Sequence, residues 1–490
     1  MIGVGAPGPD RWPSMVFNSL VYALFLPAVV GLHWTVRPAA RRWVLLVASY
    51  VFYAAWDWRF LGLIFLSTAV DYTIGRALGE ERTERARKAL LLTSVVTNLG
   101  ILGAFKYGGF FVESAASLLA RVGLAPNPAL LQVVLPVGIS FYTFQTISYT
   151  FDVYRRELSP ERDLPTFALF VAYFPQLVAG PIERATHLLP QLRSARARPD
   201  AETIHSALGL ILLGLVKKVA IADAVAPVVN RGFGNAGDLS SVMAWTTMIA
   251  FALQVYGDFS GYTDIARGTS RLLGVELRVN FRQPYLSRNL TEYWNRWHVS
   301  LSSWLRAYLY VPLGGNRHGR WTTYRNLMIT MTLGGLWHGA AWTFVAWGVM
   351  HGLILSVERA LGVQPDDSDR LPPLRHVPAV VAAFLVWNVT LVPFRAGSLG
   401  NAGEMLASMF SGPVLPSSLA AWGEVVMIAG ALATVLVIDV LHRARPPRLV
   451  RTVRRPLDAP VTSGALTGVA VVALVLFSGS PSTPFIYFQF

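Results

Sequence analysis

Long apolar segments recur along this chain from Val16 to its last residues, and they constrain its fold more than any other feature. Of its 490 residues, 53% are hydrophobic and 14% are charged, whereas a soluble protein carries about 25% charged residues. An apolar segment of about 20 residues is long enough to cross a bilayer as a helix. The sequence therefore predicts an all-α protein that crosses a membrane many times.

The spacing of apolar residues sets the expected positions of the membrane helices. Segments 129–151 and 165–181 are short or interrupted by proline and glycine, so they are expected to form tilted spans or re-entrant pieces. With them, the chain is expected to have roughly ten to thirteen spans. The other predicted spans are residues 16–36, 43–58, 60–77, 89–105, 107–121, 203–230, 241–274, 324–360, 376–396, 418–441 and 461–479.

Basic loops predict the orientation of the chain, although the same runs are also compatible with ordinary solvated loops. The segments RPAARR (37–42), RALGEERTERARK (76–88) and HRARPPRLVRTVRR (442–455) are expected on the cytoplasmic side of the cell membrane, with both termini outside. The net charge of +14 fits this topology and contact with anionic lipids. Nucleic acid is not an expected partner.

The chain is expected to form one membrane domain over residues 16–490. Residues 1–15 are rich in proline and glycine, so they are expected to be a disordered tail or to precede a true start at Met15. The absence of cysteine excludes disulfides, thiolate metal sites and a cysteine nucleophile. Neither a metalloprotease histidine pair nor a phosphate-binding glycine loop is present, so no metal and no permanently bound cofactor are expected.

Polar residues gather between positions 256 and 338, in a stretch that is also rich in Trp and Tyr. Its arginines suit phosphate groups, either those of a nucleotide-carried or pantetheine-carried donor or those of lipids. Spacings of three and four predict one amphipathic helix from Glu292 to Tyr310, capped by Asn289 or Thr291, with His298 at the edge of its apolar face. That face comprises Trp294, Trp297, Leu301, Trp304, Leu305 and Tyr308.

His338 lies in LGGLWHGAAW (333–342), inside the predicted span 324–360 and near the bilayer midplane. The surrounding glycines and alanines allow neighbouring helices to approach closely. An ionisable group at this depth is a functional candidate, for example as a neutral base, but a hydrogen-bonded core histidine is the alternative. His351 follows about 220° further around an ideal helix, so the two histidines share a face only if the helix is broken.

Several motifs of this chain resemble the membrane-bound O-acyltransferase family, in the bacterial branch that includes alginate O-acetylation proteins. The motifs are long, occur in the family's order and extend over nearly the whole chain. They are YWNRWHVSLSSWLRAYLYVPLGGNR (293–317), GGLWHGAAWTFVAWGVMHG (334–352), LPVGISFYTFQTISYTFDVYRRE (135–157), YFPQLVAGPIER (173–184), DFSGYTDIARG (258–268) and PFIYFQF (484–490).

The resemblance implies a ring of helices around a central tunnel, where a cytoplasmic acyl thioester meets an acceptor from the other face. It implies that His338 is the catalytic base, and that His298 positions the donor or holds the proton network and the developing oxyanion. Ala307 stands where family members often have aspartate, so no charge pair is expected from that turn. The implied donor or tunnel residues are Arg296 and Arg306 for donor phosphates, Trp297 and Trp337 for the tunnel wall, and Ser302, Asp258 and Tyr262.

The implied function is transfer of an acyl group, expected to be acetyl, from acetyl-CoA or another acyl thioester to hydroxyls of an exported or cell-surface polysaccharide. A separate periplasmic or extracellular acetyltransferase is the implied partner protein. Two alternatives stay open from the sequence. One is D-alanyl transfer from a carrier protein to teichoic acid, and the other is a proton-coupled transporter or flippase with His338 as its relay.

Overall fold

The computed structural model describes residues 15–124, 136–178, 180–194, 196–364, 371–442, 460–477 and 485–486. Within these ranges every regular element is a helix, which confirms the predicted all-α class. The predicted tail before Met15 and the basic loop after His442 lie outside the described residues, as do all but two residues of the terminal PFIYFQF.

The helices follow one another with short connections, and single turns of 3₁₀ or π geometry join several of them. In chain order they are α1 Leu20–Thr35, α2 Pro38–Asp57, α3 Leu61–Leu78, α4 Glu84–Leu102, α5 Gly108–Arg121, α6 Ile139–Tyr154, α7 Leu164–Ala172, α8 Phe174–Leu177, α9 Ala185–Arg193, α10 Ala201–Leu215, α11 Ala224–Gly234, α12 Ser241–Leu272, α13 Leu290–Trp294, α14 Val299–Leu305, α15 Gly319–His338, α16 Trp342–Ala360, α17 Val377–Arg395, α18 Leu399–Ser411, α19 Leu419–Leu441 and α20 Pro460–Phe477.

Residues at the helix starts explain why some helices begin earlier in the chain than the predicted spans. The α2 helix begins at Pro38, five residues before the predicted span, because the missing N–H of proline costs nothing in a first turn. The side chain of Thr83 caps α4 by accepting a hydrogen bond from the Ala86 N–H. The interrupted segment 165–181 is indeed broken, between α7 and α8 at Tyr173.

The chain divides into two compact units. The first unit ends at Ile211 and also includes Ala266–Arg278. The second unit comprises Leu212–Ile265 and the chain from Val279 onward.

The first unit contains a buried polar network that links α3, α4 and α6. The Asp71 carboxylate accepts hydrogen bonds from the Ser94 hydroxyl at 2.5 Å and from the Asn98 side-chain amide at 2.8 Å. The Asn98 amide oxygen in turn accepts from the hydroxyls of Ser67 at 2.9 Å and Thr146 at 3.2 Å. All five residues are buried. Hydrogen bonds of this kind hold helices together where no water is available.

Four helical stretches among the described residues are long and apolar enough to cross a membrane. Their outward side chains include Val47, Val426 and Val437, each more than half exposed, which suits contact with lipid. The chain is therefore a polytopic membrane protein, whereas the total number of spans, the tunnel and the orientation stay predictions. The four stretches are Pro38–Leu78, Glu84–Arg121, Leu374–Arg395 and Leu419–Leu441, and the shorter apolar helices are Leu20–Thr35, Leu164–Leu177 and Gly464–Phe477.

Candidate active site

His338 is the last residue of α15, which makes the expectation of one continuous span over 324–360 wrong. The backbone becomes extended at Gly339, and α16 begins at Trp342. A Cβ atom on Gly339 would overlap the ring of Phe344, so only glycine fits at this bend. The break places the imidazole at a helix end, where the chain turns, and not in a helix interior.

Glycines bring α15 and α16 into close contact beside this bend. A Cβ atom on Gly335 would overlap the carbonyl oxygen of Phe344, and one on Gly348 would overlap the carbonyl oxygen of Met331. Residues without side chains let membrane helices approach closely, as the glycines around His338 predicted. The resulting helical hairpin fixes the position of His338 against α16.

Aromatic rings surround the His338 imidazole and meet it at steep angles. The ring centroid of His338 lies 5.0 Å from that of Trp337, 5.1 Å from Trp347 and 5.2 Å from Phe394. His338 itself is only 3% exposed. Edge-to-face packing of this kind holds an imidazole in one plane and excludes most water from it.

His298 occupies a second break, which makes the expectation of one helix from Glu292 to Tyr310 wrong. Asn289 caps α13 by accepting the Glu292 N–H, but α13 ends at Trp294, and α14 begins only at Val299. His298 stands at the N-cap of α14 with a φ of 44° and a ψ of 53°. A left-handed backbone is costly for a residue with a side chain, and such residues concentrate at functional sites.

The His298 side chain is fully buried and has both polar and aromatic neighbours. Its Nδ1 lies 3.2 Å from the Asn280 side-chain oxygen and 3.4 Å from the Ser300 hydroxyl. Its ring centroid lies 4.6 Å from that of Phe259 and 5.9 Å from that of Trp337. The indole of Trp337 therefore contacts both histidines that the sequence singled out, and it brings the two helix breaks together.

The two arginines expected to hold donor phosphates differ in accessibility. Arg296 is 3% exposed, and its guanidinium pairs with the Glu292 carboxylate at 2.9 Å. The same carboxylate pairs with Arg288 at 2.9 Å. Arg306 is exposed at the start of a π-helical turn, Arg306–Tyr310. Of the two, Arg306 is the one with an exposed side chain.

Trp297 and Ser302 support the break at His298. The Trp297 ring centroid lies 5.6 Å from that of Tyr293, in a stacked arrangement, and 5.3 Å from that of Trp387. The Ser302 hydroxyl donates to the carbonyl oxygen of Trp297 at 3.2 Å. These contacts hold the turn between α13 and α14 in place.

Asp258 and Tyr262 of α12 contact Lys218 and the last described residues. Asp258 pairs with the Lys218 ammonium at 2.9 Å, and its second oxygen accepts the Ile486 N–H at 2.6 Å. The Tyr262 ring centroid lies 4.2 Å from that of Phe485. These two predicted site residues therefore anchor the Phe485–Ile486 segment.

His351 belongs to the same aromatic cluster as His338. The sequence allowed the two histidines a shared face only if the helix was broken, and it is broken after His338. Its ring centroid lies 4.6 Å from that of Trp347, which in turn packs on His338. The Trp294 indole N–H donates to His351 Nδ1 at 3.3 Å. The break after His338 permits this arrangement.

The arrangement suits proton transfer in a space that excludes most water, because two buried imidazoles pack on one buried indole. Among the described ranges, no three His, Asp or Glu side chains come together in a way that could hold a metal ion.

Comparison with known proteins places the chain among membrane acyltransferases. The model of the MBOAT family, membrane-bound O-acyltransferases, matches residues 52–395. The chain is 40% identical to the probable alginate O-acetylase AlgI of Pseudomonas putida, over 97% of this chain and 100% of that protein. It is 36% identical to the peptidoglycan O-acetyltransferase of Helicobacter pylori, over 74% and 73% of the two chains. The teichoic acid D-alanyltransferase of Streptococcus thermophilus is 28% identical, over 46% and 57%.

Proposed function

The chain belongs to the membrane-bound O-acyltransferase family, and we propose that it transfers an acetyl group from a cytoplasmic thioester toward hydroxyls of an exported or cell-surface polysaccharide. The observation that carries the proposal is the placement of His298 and His338 on one buried indole, that of Trp337. The O-acetylase names of two relatives support acetyl as the acyl group and a polysaccharide as the acceptor.

In the proposed reaction His338 acts as the general base. Its imidazole takes the proton of the acceptor hydroxyl while the hydroxyl oxygen bonds to the thioester carbonyl carbon. The C–S bond then breaks, and the imidazolium returns its proton to the departing thiolate. General-base catalysis of this kind contributes about 10²–10⁴-fold to a rate. The aromatic rings around His338 keep competing water away from the thioester.

His298 serves the same proton network, and its ring also packs on Trp337. Its left-handed backbone and its contact with Asn280 hold the ring in one orientation. The donor is acetyl-CoA or another acyl thioester, and Arg306 is the residue that meets donor phosphates. Trp297 and Ser302 support the site, whereas Arg296 stabilises the turn through Glu292.

A multi-pass location in the cell membrane, with both termini outside, brings the thioester and the polysaccharide to opposite ends of the site. A separate periplasmic or extracellular acetyltransferase completes the transfer to the polymer. D-alanyl transfer to teichoic acid ranks second, because that relative covers under half of this chain. Transport has no support among the relatives reported above.

The test is the O-acetyl content of the exported polysaccharide in cells that carry His338→Ala at matched membrane expression. The proposal expects loss of the acetyl esters while the protein remains in the membrane. His205→Ala is the matched control, because His205 is exposed on α10, and it is expected to retain wild-type acetylation. Undiminished acetylation in His338→Ala cells contradicts the proposal.

A further inference from the structure

We infer that Asn280 is a positioning residue that fixes the tautomer of His298, with the proton on Nδ1 and a lone pair on Nε2. The inference rests on the proposed function only in giving His298 a part in acyl transfer. The tautomer itself follows from the contacts of three buried residues: Asn280, His298 and Ser300.

Backbone hydrogen bonds hold Asn280 beside His298. The Val299 N–H donates to the Asn280 carbonyl oxygen at 2.9 Å, and the Arg282 N–H donates to the Arg296 carbonyl oxygen at 2.9 Å. The segment from Asn280 to Arg282 therefore runs alongside the turn that carries His298. Both contacts are made by the main chain. The fold itself therefore places the Asn280 side chain next to the His298 ring.

A backbone donor determines which way the Asn280 amide points. The Ser300 N–H donates to the Asn280 side-chain oxygen at 3.1 Å, and the Ser300 hydroxyl donates to the same oxygen at 2.9 Å. Reversing the amide would bring its NH₂ group against the Ser300 N–H, donor against donor. The atom that faces His298 Nδ1 is therefore the amide oxygen, which only accepts hydrogen bonds.

The Asn280 oxygen and the Ser300 hydroxyl, which both lie near His298 Nδ1, then act as acceptors. The Asn280 oxygen lies 3.2 Å away, and the Ser300 hydroxyl, whose proton is directed at Asn280, lies 3.4 Å away. An unprotonated Nδ1 would face lone pairs on both sides. The proton of the neutral imidazole therefore resides on Nδ1, as in other histidines oriented by a second group.

This tautomer decides between the two roles open to His298 in acyl transfer. A lone pair on Nε2 accepts a hydrogen bond or a proton, from an acceptor hydroxyl or from an amide N–H of the thioester donor. An unprotonated Nε2 cannot donate a hydrogen bond to a developing oxyanion until it has itself been protonated. His298 therefore receives protons or orients a substrate donor group, and it does not act as a preformed oxyanion-binding group.

The direct test is nitrogen NMR of the full-length protein with ¹⁵N-labelled histidine in lipid nanodiscs, without substrate. The His298 signals are identified as those lost in His298→Gln. The inference expects a protonated Nδ1 and an unprotonated Nε2 in the wild type, and a mixture of tautomers in Asn280→Leu. A wild-type ring protonated on Nε2 would overturn it. In the control Asn388→Leu, which removes a different buried amide that donates to the Phe384 carbonyl, the tautomer is expected to be unchanged.

Kinetics test whether the tautomer matters for turnover. Asn280→Leu is expected to lower kcat for acetyl transfer about 10–100-fold, as loss of an orienting partner does, with a much smaller change in KM for acetyl-CoA. Asn280→Asp retains the accepting oxygen and is expected to restore most of kcat. Equal losses in both variants would contradict the positioning role. A wild-type protein that transfers no acetyl group would instead overturn the proposed function and leave the NMR result intact.

Discussion

Two buried polar regions of this membrane protein use their polar groups differently. Around Asp71, in the first unit, hydroxyl and amide groups from three helices form a hydrogen-bonded network with one carboxylate. Around His338, in the second unit, the imidazole lies among indole and phenyl rings at the end of a broken helix. The first arrangement stabilises helix packing, and the second holds in one orientation the imidazole that we propose as the catalytic base. Burial of a polar residue therefore does not by itself identify an active site.

Among the neighbours of the two histidines, the largest loss of activity is expected from Trp337→Ala. The indole contacts both histidines, so its loss frees two rings at once and lowers acetyl transfer about 10–100-fold, as loss of an orienting group does. The measurement is acetyl transfer per mole of folded protein. Trp321→Ala is the control, because Trp321 is 74% exposed on α15. Equal activity in the two variants would show that the indole does not organise the site.

Asp71→Ala is expected to lower the stability of the protein and to leave its activity nearly unchanged. The change leaves the Ser94 hydroxyl and the Asn98 amide without their carboxylate, which lowers the free energy of unfolding by about 1–3 kcal/mol. Activity per folded molecule is expected to stay near wild type. Thermal unfolding in detergent and the transfer assay on the surviving protein measure the two quantities. Loss of activity without loss of stability would break the comparison, because it would give Asp71 a part in the chemistry.

The smallest effect is expected from His351→Leu. The Trp294 indole loses its acceptor, which destabilises the protein by about 0.5–1.5 kcal/mol. Because Trp347 packs on both His351 and His338, we also expect a loss of activity of a few-fold. His205→Leu on exposed α10 is the control for a histidine-to-leucine change. A loss as large as that of His338→Ala would make His351 part of the reacting group.

Much of the fold could be predicted from the sequence because apolar length and period are local properties. The span predicted at 418–441 corresponds to α19, and that at 376–396 corresponds to α17. The identity of His298 and His338 as candidates also came from the sequence, through motifs that surround each residue.

The breaks at His298 and after His338 could not be predicted, because their causes lie in tertiary contacts. The bend at Gly339 depends on the ring of Phe344, and the left-handed backbone of His298 has no signal in residue type. The Asp71 network joins residues up to 79 positions apart in the chain, from Ser67 to Thr146. From the sequence alone, each of the helices involved therefore reads as an apolar segment. The periodicity of residues along one helix does not indicate which residues of another helix they contact.

The most direct measurement is acetyl transfer from acetyl-CoA to an added polysaccharide by membrane vesicles that contain the protein and its partner acetyltransferase, comparing wild type with His338→Gln at equal amounts of folded protein. A general-base role of His338 predicts a loss of at least about 100-fold in the variant, with the thermal unfolding temperature nearly unchanged. Transfer at the wild-type rate by a folded His338→Gln protein would contradict it.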